Sequence, residues 1–172
     1  MDLKTLCLGI LSQGDSTGYA IKKQLEQGYG HVYAAGFGSI YPALARLSED
    51  GLVTCVAEPQ EKRPDRKVYA ITAAGRLAFL DELGKMPGRD RIRSEFLVTM
   101  LFSDLLSPAR LDEMIEARLA EYRADLARLE ACDMSGAGAG RAFVHGFGIA
   151  SYRAAIAYIE EHGPRVVGSA LL

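Results

Sequence analysis

The sequence predicts a mainly α-helical protein with a small β-hairpin wing, in which a winged helix-turn-helix domain is followed by a helical dimerisation domain. Three observations predict this architecture: a short amphipathic helix that ends at a glycine, a charged hairpin directly after it, and a heptad-spaced apolar seam in the second half. The predicted boundaries are residues 1–84 for the first domain, 85–93 for a charged linker that contains proline and glycine, and 94–172 for the second domain.

Residues 38–50 are the predicted recognition helix of this fold. At 100° per residue its apolar side chains fall on one face, which is formed by Ile40, Ala43, Leu44 and Leu47. Ser39 is placed to cap the helix, Pro42 lies in its first turn, and Gly51 is suited to end it in a left-handed conformation. The outer face is small at its start and carries Arg46, which is typical of a helix whose leading end enters the major groove of DNA. The alternative is an ordinary packed helix before a hairpin.

The segment after this helix is predicted to form two strands joined by a charged loop, and we name residues 58–67 the wing. Residues 52–58 and 67–72 alternate loosely and are rich in Val and Thr, as strands are. The wing carries four cations, Lys62, Arg63, Arg66 and Lys67. Its prolines stiffen a loop that is suited to touch a phosphate backbone. A solvated charged turn is the alternative, but a basic tip directly after a candidate recognition helix favours a winged helix.

Two helices are predicted upstream. Residues 3–11 repeat apolar side chains at i, i+3, i+4 and i+7, and a turn over residues 12–16 offers Asp15 or Ser16 as the next cap. The second helix, over about residues 17–27, is expected to bury Gly18, Ile21 and Leu25 and to expose Lys22 and Lys23. The glycine-rich residues 28–38 are interpreted as a connection rather than a phosphate-binding loop, because no strand precedes them and no lysine follows in the required position.

These segments resemble the winged-helix domain of the PadR family of bacterial transcriptional regulators over residues 3–83. The matching runs are LGILSQGDSTGYAIKKQLEQ, GSIYPALARLSEDGLV and EKRPDRKVYAITAAGR. The resemblance implies a dimeric repressor or activator that binds double-stranded DNA and often controls a neighbouring gene. The residues assigned to the DNA-binding surface are Tyr19, Lys22, Lys23, Ser39, Tyr41, Pro42, Arg46, Lys62, Arg63, Arg66 and Lys67. Tyr41 lies at the flank of the apolar arc, so a half-buried ring is the alternative for it.

The second half is predicted to contain three helices. Residues 94–106 are apolar around much of the circumference, which predicts burial on more than one side. Ser107 and Pro108 begin a helix that runs to about residue 132. That helix carries the seam, which consists of Ile115, Leu119, Tyr122, Leu126 and Leu129 at spacings of four and three. Residues 141–162 form the last helix, and the apolar tail after Pro164 needs a partner surface or frays.

The seam can be filled within one chain, as an antiparallel hairpin, or by a second chain. The family pattern of exchanged C-terminal helices favours a homodimer, and so does the need to contact two half-sites with one helix each. The predicted interface therefore comprises the seam together with Phe143 and Phe147, which share the last helix's apolar face with Ala150, Ala154 and Tyr158.

An effector pocket is predicted where aromatic side chains and a polar ring are expected to converge, at Tyr122, Phe143, His145 and Phe147. A small aromatic effector is the expected ligand, and tight core packing is the alternative. The sequence contains no tryptophan, which argues against a ligand stacked on indole rings, as described for some PadR regulators.

Composition permits this reading without requiring it. The net charge is −2, and residues 1–84 hold nine Lys and Arg against ten Asp and Glu, so only the local charge of the wing favours DNA. Cys7, Cys55 and Cys132 form no C-x-x-C pair, which indicates neither zinc nor a disulfide framework. We expect no metal, no cofactor, no signal peptide and no membrane span, in keeping with a cytoplasmic protein. Three histidines without a carboxylate pair or nucleophile signature argue against an enzyme, which leaves a protein-interaction module without DNA contact as the alternative.

Overall fold

The computed structural model describes residues 2–28, 39–59, 66–90 and 92–169. The chain divides into two compact units, Met1–Asp90 and Arg91–Leu172. The first unit contains α1 (Leu3–Leu11), β1 (Ser16–Thr17), α2 (Gly18–Gly28), α3 (Ile40–Glu49), β2 (Val53–Glu58), β3 (Arg66–Ile71) and α4 (Ala73–Gly84). The second contains α5 (Glu95–Leu101), a 3-10 turn (Ser103–Leu105), α6 (Pro108–Glu130) and α7 (Ala139–Ser169).

The core of the first unit lies between α1, α2, α3 and the sheet. Its fully buried side chains include Cys7, Leu11, Ile21, Leu25, Ile40, Leu44 and Leu47. Cys7 is a buried apolar residue, as predicted, and burial raises the pKa of its thiol to about 11. The predicted helix periodicities of α1, α2 and α3 are therefore confirmed, because the residues they assign to the inside form this core.

The sheet is antiparallel, with the strand order β1-β3-β2. In the hairpin Val53 pairs with Ile71, and Glu58 pairs with Arg66, which confirms the predicted wing strands. The third strand, β1, was not predicted, since the sequence analysis places a turn there with a cap at Asp15 or Ser16. Ser16 instead pairs with Tyr69, and Thr17 caps α2 by accepting a hydrogen bond from the N–H of Ala20 at 3.1 Å.

The junction between α3, the sheet and α4 is held by the carbonyl groups of Gly51 and Leu52. The backbone N–H of Thr72 donates to the Leu52 carbonyl at 3.1 Å, and the Thr72 hydroxyl is shared between the carbonyls of Gly51 at 2.9 Å and Leu52 at 3.1 Å. The same hydroxyl caps α4 by accepting from the N–H of Gly75 at 3.0 Å. A Cβ atom at Gly75 would collide with the Leu52 carbonyl. Glycine at position 75 therefore permits the close approach of α4 to the end of the recognition helix.

In the second unit α6 and α7 pack against each other as an antiparallel hairpin. Asp125 of α6 bonds to Tyr152 of α7, and Ile115, ten residues earlier, lies against Gly163, eleven residues later. The start of α6 is confirmed, because Ser107 is its N-cap and Pro108 its first residue.

Three predictions about the second unit are corrected. The 94–106 segment is not buried within the chain: α5 spans only Glu95–Leu101 and has no buried residue. The last helix does not end at residue 162, since α7 continues through Pro164 to Ser169. Its predicted inner face is exposed: Phe143, Phe147, Ala150, Ala154 and Tyr158 all lie on the outside. The neighbouring face packs on α6 instead, where Gly163 allows close approach, since a Cβ atom at that position would stand 3.2 Å from Ile115.

Candidate nucleic-acid interface

The outer face of α3 is exposed as a unit. Ile40, Ala43, Leu44 and Leu47 are buried, whereas Ser39, Tyr41, Pro42 and Arg46 are exposed. Gly51 adopts φ 68°, so the helix ends in the predicted left-handed conformation. Burial of one face fixes the direction in which the other face projects, and the leading end of that face carries only small or planar side chains.

The predicted capping bond of Ser39 does not form. Ser39 occupies the N-cap position, but its backbone has φ −88° and ψ −4°, in the helical region rather than the extended region that side-chain caps use. Its hydroxyl makes no capping hydrogen bond to α3. The hydroxyl is therefore not committed to the helix end and lies on the exposed face.

Tyr41 is exposed, with 55% of its surface accessible, rather than half-buried as in the alternative prediction. Its ring lies over the first turn of α2, where a Cβ atom at Gly18 would stand 2.7 Å from the ring. Tyr19 and Lys23 are also exposed in this turn of α2, and Lys22 is half-buried. The packing of Gly18 against Tyr41 thus brings the leading end of α3 beside the predicted contact residues of α2.

Of the four predicted cations of the wing, Arg66 and Lys67 are described, and Lys62 and Arg63 lie outside the described residues. Arg66 and Lys67 begin β3, opposite Glu58 and Ala57 of β2, and both are exposed. The paired strands hold the backbone of both cations in place at the far end of the hairpin from α4.

The cations of the first unit are sorted by location. Lys4 pairs with Asp50 at 3.6 Å, and Lys85 pairs with both Asp81 and Glu82. By contrast, no carboxylate lies within ion-pairing distance of four cations on the candidate interface in the part of the chain that the structure describes: Lys23, Arg46, Arg66 and Lys67. Part of the acidity of this half thus lies in the ion pairs of Lys4 and Lys85, and the four described cations of the interface remain available to phosphate groups.

Tyr69 supports the sheet beneath the candidate interface. The sequence motifs include this residue, but no role was predicted for it. It is buried in the core and pairs with Cys55 across the hairpin and with Ser16 of β1. Burial raises the pKa of its hydroxyl, and the neighbouring Cys55 adds to the rise. Alternation within β3 was the available signal, since it places Tyr69 opposite the exposed positions.

The seam on α6 is filled within the chain. Ile115, Leu119 and Leu129 are buried, and Tyr122 and Leu126 are half-buried, in the hairpin with α7. Their apolar character therefore needs no second chain to explain it, and the exchange of helices between subunits stays a prediction. Phe143 and Phe147, assigned to the same interface, are 74% and 63% exposed.

The four side chains assigned to an effector pocket do not converge. Tyr122 contacts the ring of Tyr152 at 5.5 Å between centroids, whereas Nε2 of His145 lies 2.8 Å from the carbonyl oxygen of Leu129, two turns further along α6. Phe143 and Phe147 point outward. A cavity of about 250 Å³ between α5 and α6 contains none of the four, and Arg118 in its wall stacks on Phe96 and Tyr122. An aromatic effector therefore stays a prediction, and the four residues first assigned to its pocket do not form one.

Two other kinds of feature, a metal site and a membrane-spanning helix, are absent from the part of the chain that the structure describes. Among the described residues, no group of three or more His, Cys, Asp and Glu side chains is placed to hold a metal ion. No helix in that part of the chain is both long enough and apolar enough to cross a membrane.

Comparison with known proteins decides the family. Residues 7–81 match the model of the transcriptional regulator PadR-like family. The first half of the chain is therefore similar to the PadR-like family of transcriptional regulators. This confirms the resemblance seen in the motifs of the first half. Residues 92–162 match a second model, the virulence activator alpha C-terminal family, so the C-terminal helices of this PadR-like chain have relatives of their own.

Individual relatives cover most of the chain. The negative transcriptional regulator PadR of Bacillus subtilis (strain 168) is 27% identical over 129 residues, which are 74% of this chain and 71% of that protein. The crystal structure of smu.1604c from Streptococcus mutans UA159 is 28% identical, with a TM-score of 0.89 over 94% of this chain and 98% of that one. Bacillus subtilis PadR in complex with operator DNA shares the fold, with a TM-score of 0.76 and 23% identity over 95% of this chain and 98% of that one.

Proposed function

We propose that this PadR-like chain is a dimeric, sequence-specific repressor in the cytoplasm, which binds a palindromic operator through helix 38–50 and the wing. The observation that carries the proposal is the exposed face of α3, on a helix whose opposite face is fully buried. Among the described residues, no carboxylate pairs with Lys23, Arg46, Arg66 or Lys67 beside it. Bacillus subtilis PadR, which has the same fold, has been solved with operator DNA.

The proposed contacts divide into two kinds. Ser39, Tyr41 and Arg46 project from α3 and are assigned to base edges in the major groove, where an arginine discriminates best by two hydrogen bonds to guanine. The backbone contacts are assigned to α2 and to the wing, through Tyr19, Lys22, Lys23, Lys62, Arg63, Arg66 and Lys67. Phosphate contacts position the protein without specifying sequence. Pro42 is assigned to a close apolar contact at the leading end of α3.

Dimerisation is proposed because the second unit exposes more large apolar side chains than a solvated surface explains. On α7 these are Phe143, Phe147 and Tyr158, and on α5 and the following turn they are Leu97, Val98, Leu101, Phe102 and Leu105. Apolar side chains exposed together on one helix are typical of protein interfaces. We therefore assign the interface to the outer faces of α5 and α7 rather than to the buried seam. A dimer places two recognition helices on half-sites roughly 34–36 Å apart.

A gel-shift titration with the DNA upstream of the gene itself tests the proposal. We expect saturable binding with a Kd on the order of 10⁻⁸ M or tighter, and binding to a scrambled duplex at least about a thousandfold weaker. Arg46→Ala should remove most of the difference. Arg110→Ala is the matched control, because Arg110 is also exposed but pairs with Glu113 on α6. Equal affinity for operator and scrambled DNA would instead favour a protein-interaction module.

A further inference from the structure

A groove runs along the hairpin of α6 and α7, on elements that carry no proposed DNA contact. Its volume is about 310 Å³, within the range of pockets that hold drug-sized ligands. Its apolar lining consists of Ile115, Leu119, Ile159, Gly163, Pro164 and Val167, and its charged lining of Asp112, Glu116, Arg123 and Glu160. We call the apolar part of this lining the trough and the charged part its edge. The balance of charge at the edge decides which ligands the groove can bind.

The edge carries an excess of negative charge. Arg123 pairs with Glu160 across the two helices at 2.6 Å, so these two groups neutralise each other. Asp112 and Glu116 have no cation within ion-pairing distance among the described residues. They stand four residues apart on α6, where like charges repel and disfavour the helix.

This pattern is confined to the groove. The other carboxylates of α6 are all paired with arginine: Glu113 with Arg110, Glu121 with Arg118, Asp125 with Arg128 and Glu130 with Arg153. Unpaired carboxylates on this helix thus occur only where they line the apolar trough, in the part of the chain that the structure describes. Charge and apolar surface together select a ligand that is cationic at one end and apolar at the other.

The backbone of α7 adds a further hydrogen-bond acceptor, the carbonyl oxygen of Glu160. Pro164 has no N–H to donate to the carbonyl of Glu160, four residues earlier, and both residues line the groove. Beside them, a Cβ atom at Gly163 would stand 3.2 Å from Ile115, so glycine keeps the two helices close at the floor of the groove. An ammonium group with N–H donors satisfies both a carboxylate and such a carbonyl.

We propose that this groove binds an amphipathic organic cation, an alkylammonium whose chain lies on the apolar lining and whose head group meets Asp112 and Glu116. The proposal goes beyond the proposed function, since binding requires neither DNA nor a particular operator. The Arg123–Glu160 pair closes the charged edge and stays intact in the complex, because the head group is neutralised by the two carboxylates of α6.

Isothermal titration of the full-length chain with three octyl probes tests the proposal. Octylammonium should bind at least about fivefold more tightly than 1-octanol, and octanoate should bind most weakly, because the carboxylates attract the cation and repel the anion. Asp112→Asn together with Glu116→Gln should remove the preference for octylammonium and leave the affinity for 1-octanol unchanged.

A matched control uses the same helix. Glu113→Gln together with Glu121→Gln removes the same charge from α6 outside this groove and should leave the octylammonium affinity unchanged. Val167→Trp fills the trough and should weaken all three probes while circular dichroism stays constant. Three results overturn the proposal: equal affinity for the three probes, an equal loss in both charge variants, or an octylammonium affinity that rises as the protein is diluted, since a second copy would then occupy the groove.

Discussion

Removal of the two described cations of the wing has a calculable effect on DNA binding. Arg66 and Lys67 are exposed and begin β3, so Arg66→Ala together with Lys67→Ala leaves the core untouched. Each lost phosphate contact lowers the slope of log K against log salt by about 0.9. Two contacts in each subunit of a dimer should therefore lower it by about 3.6. Between 50 and 200 mM salt, the wild-type affinity should fall on the order of 150-fold further than that of the variant.

Fluorescence anisotropy with labelled operator over this range of salt measures both slopes. Lys85→Ala together with Arg110→Ala is the control, because both cations are exposed but paired with carboxylates, and its slope should match the wild type. A slope lowered by only about 1.8 would mean that one wing contacts each operator, which contradicts the dimer. An unchanged slope would refute the assignment of the wing to phosphate contacts.

Four further predictions concern single positions. Arg46→Ala should cost about 1–3 kcal/mol of discrimination between operator and scrambled DNA, without change in the dimer or in circular dichroism. Gly75→Ala should destabilise the first unit by more than about 2 kcal/mol in thermal melts, since its Cβ collides with backbone rather than with a movable side chain; Gly84→Ala, which meets open space, should be nearly neutral. Phe147→Asp should yield a monomer in sedimentation if the outer face of α7 is the interface. The pKa of Cys7 is raised from 9.0 to about 11, so its contribution to stability is fully present below pH 9 and is lost as pH rises towards 11, on the order of 2–3 kcal/mol; Cys7→Ala should flatten that decline in urea titrations.

Three outcomes would contradict the first three of these expectations in turn. Wild-type discrimination by the Arg46 variant would mean that this side chain braces its own subunit. Equal melting of the two glycine variants would show that α4 is able to move away from the sheet. A dimeric Phe147 variant would remove the outer face of α7 from the interface.

The recognition helix and the hairpin were predictable because their signals are local. Four apolar side chains at helical spacing and a glycine stop define α3, and Gly51 indeed has a positive φ. β1 was not predictable, since two residues have no period and their pairing with β3 is made by backbone groups. The candidate DNA contacts on α3 follow from the same periodicity, whereas the distribution of paired and unpaired cations depends on tertiary neighbours.

The packing of the second unit was mispredicted for a different physical reason. α7 is apolar on more than one side, so periodicity does not choose which face meets α6. The choice is made by tertiary packing: Gly163, which has no side chain, lies against Ile115 of α6, while Phe143 and Phe147 are left outside. Pro164 likewise predicts a helix end, because proline disfavours a helix interior. In the structure α7 nevertheless continues through Pro164, next to Gly163, which packs against α6.

The bonding of Thr72 to the Leu52 carbonyl has a mechanical consequence. It joins the start of α4 to the base of the hairpin, so a tilt of α4 that carried β3 with it would pivot about this point. β3 spans six residues, which places the end that carries Arg66 about 17 Å from the pivot. A tilt of α4 by about 10° would move that end by about 3 Å, the length of one hydrogen bond. A rotation of this size would therefore displace Arg66 by enough to make or break one hydrogen bond with a phosphate oxygen.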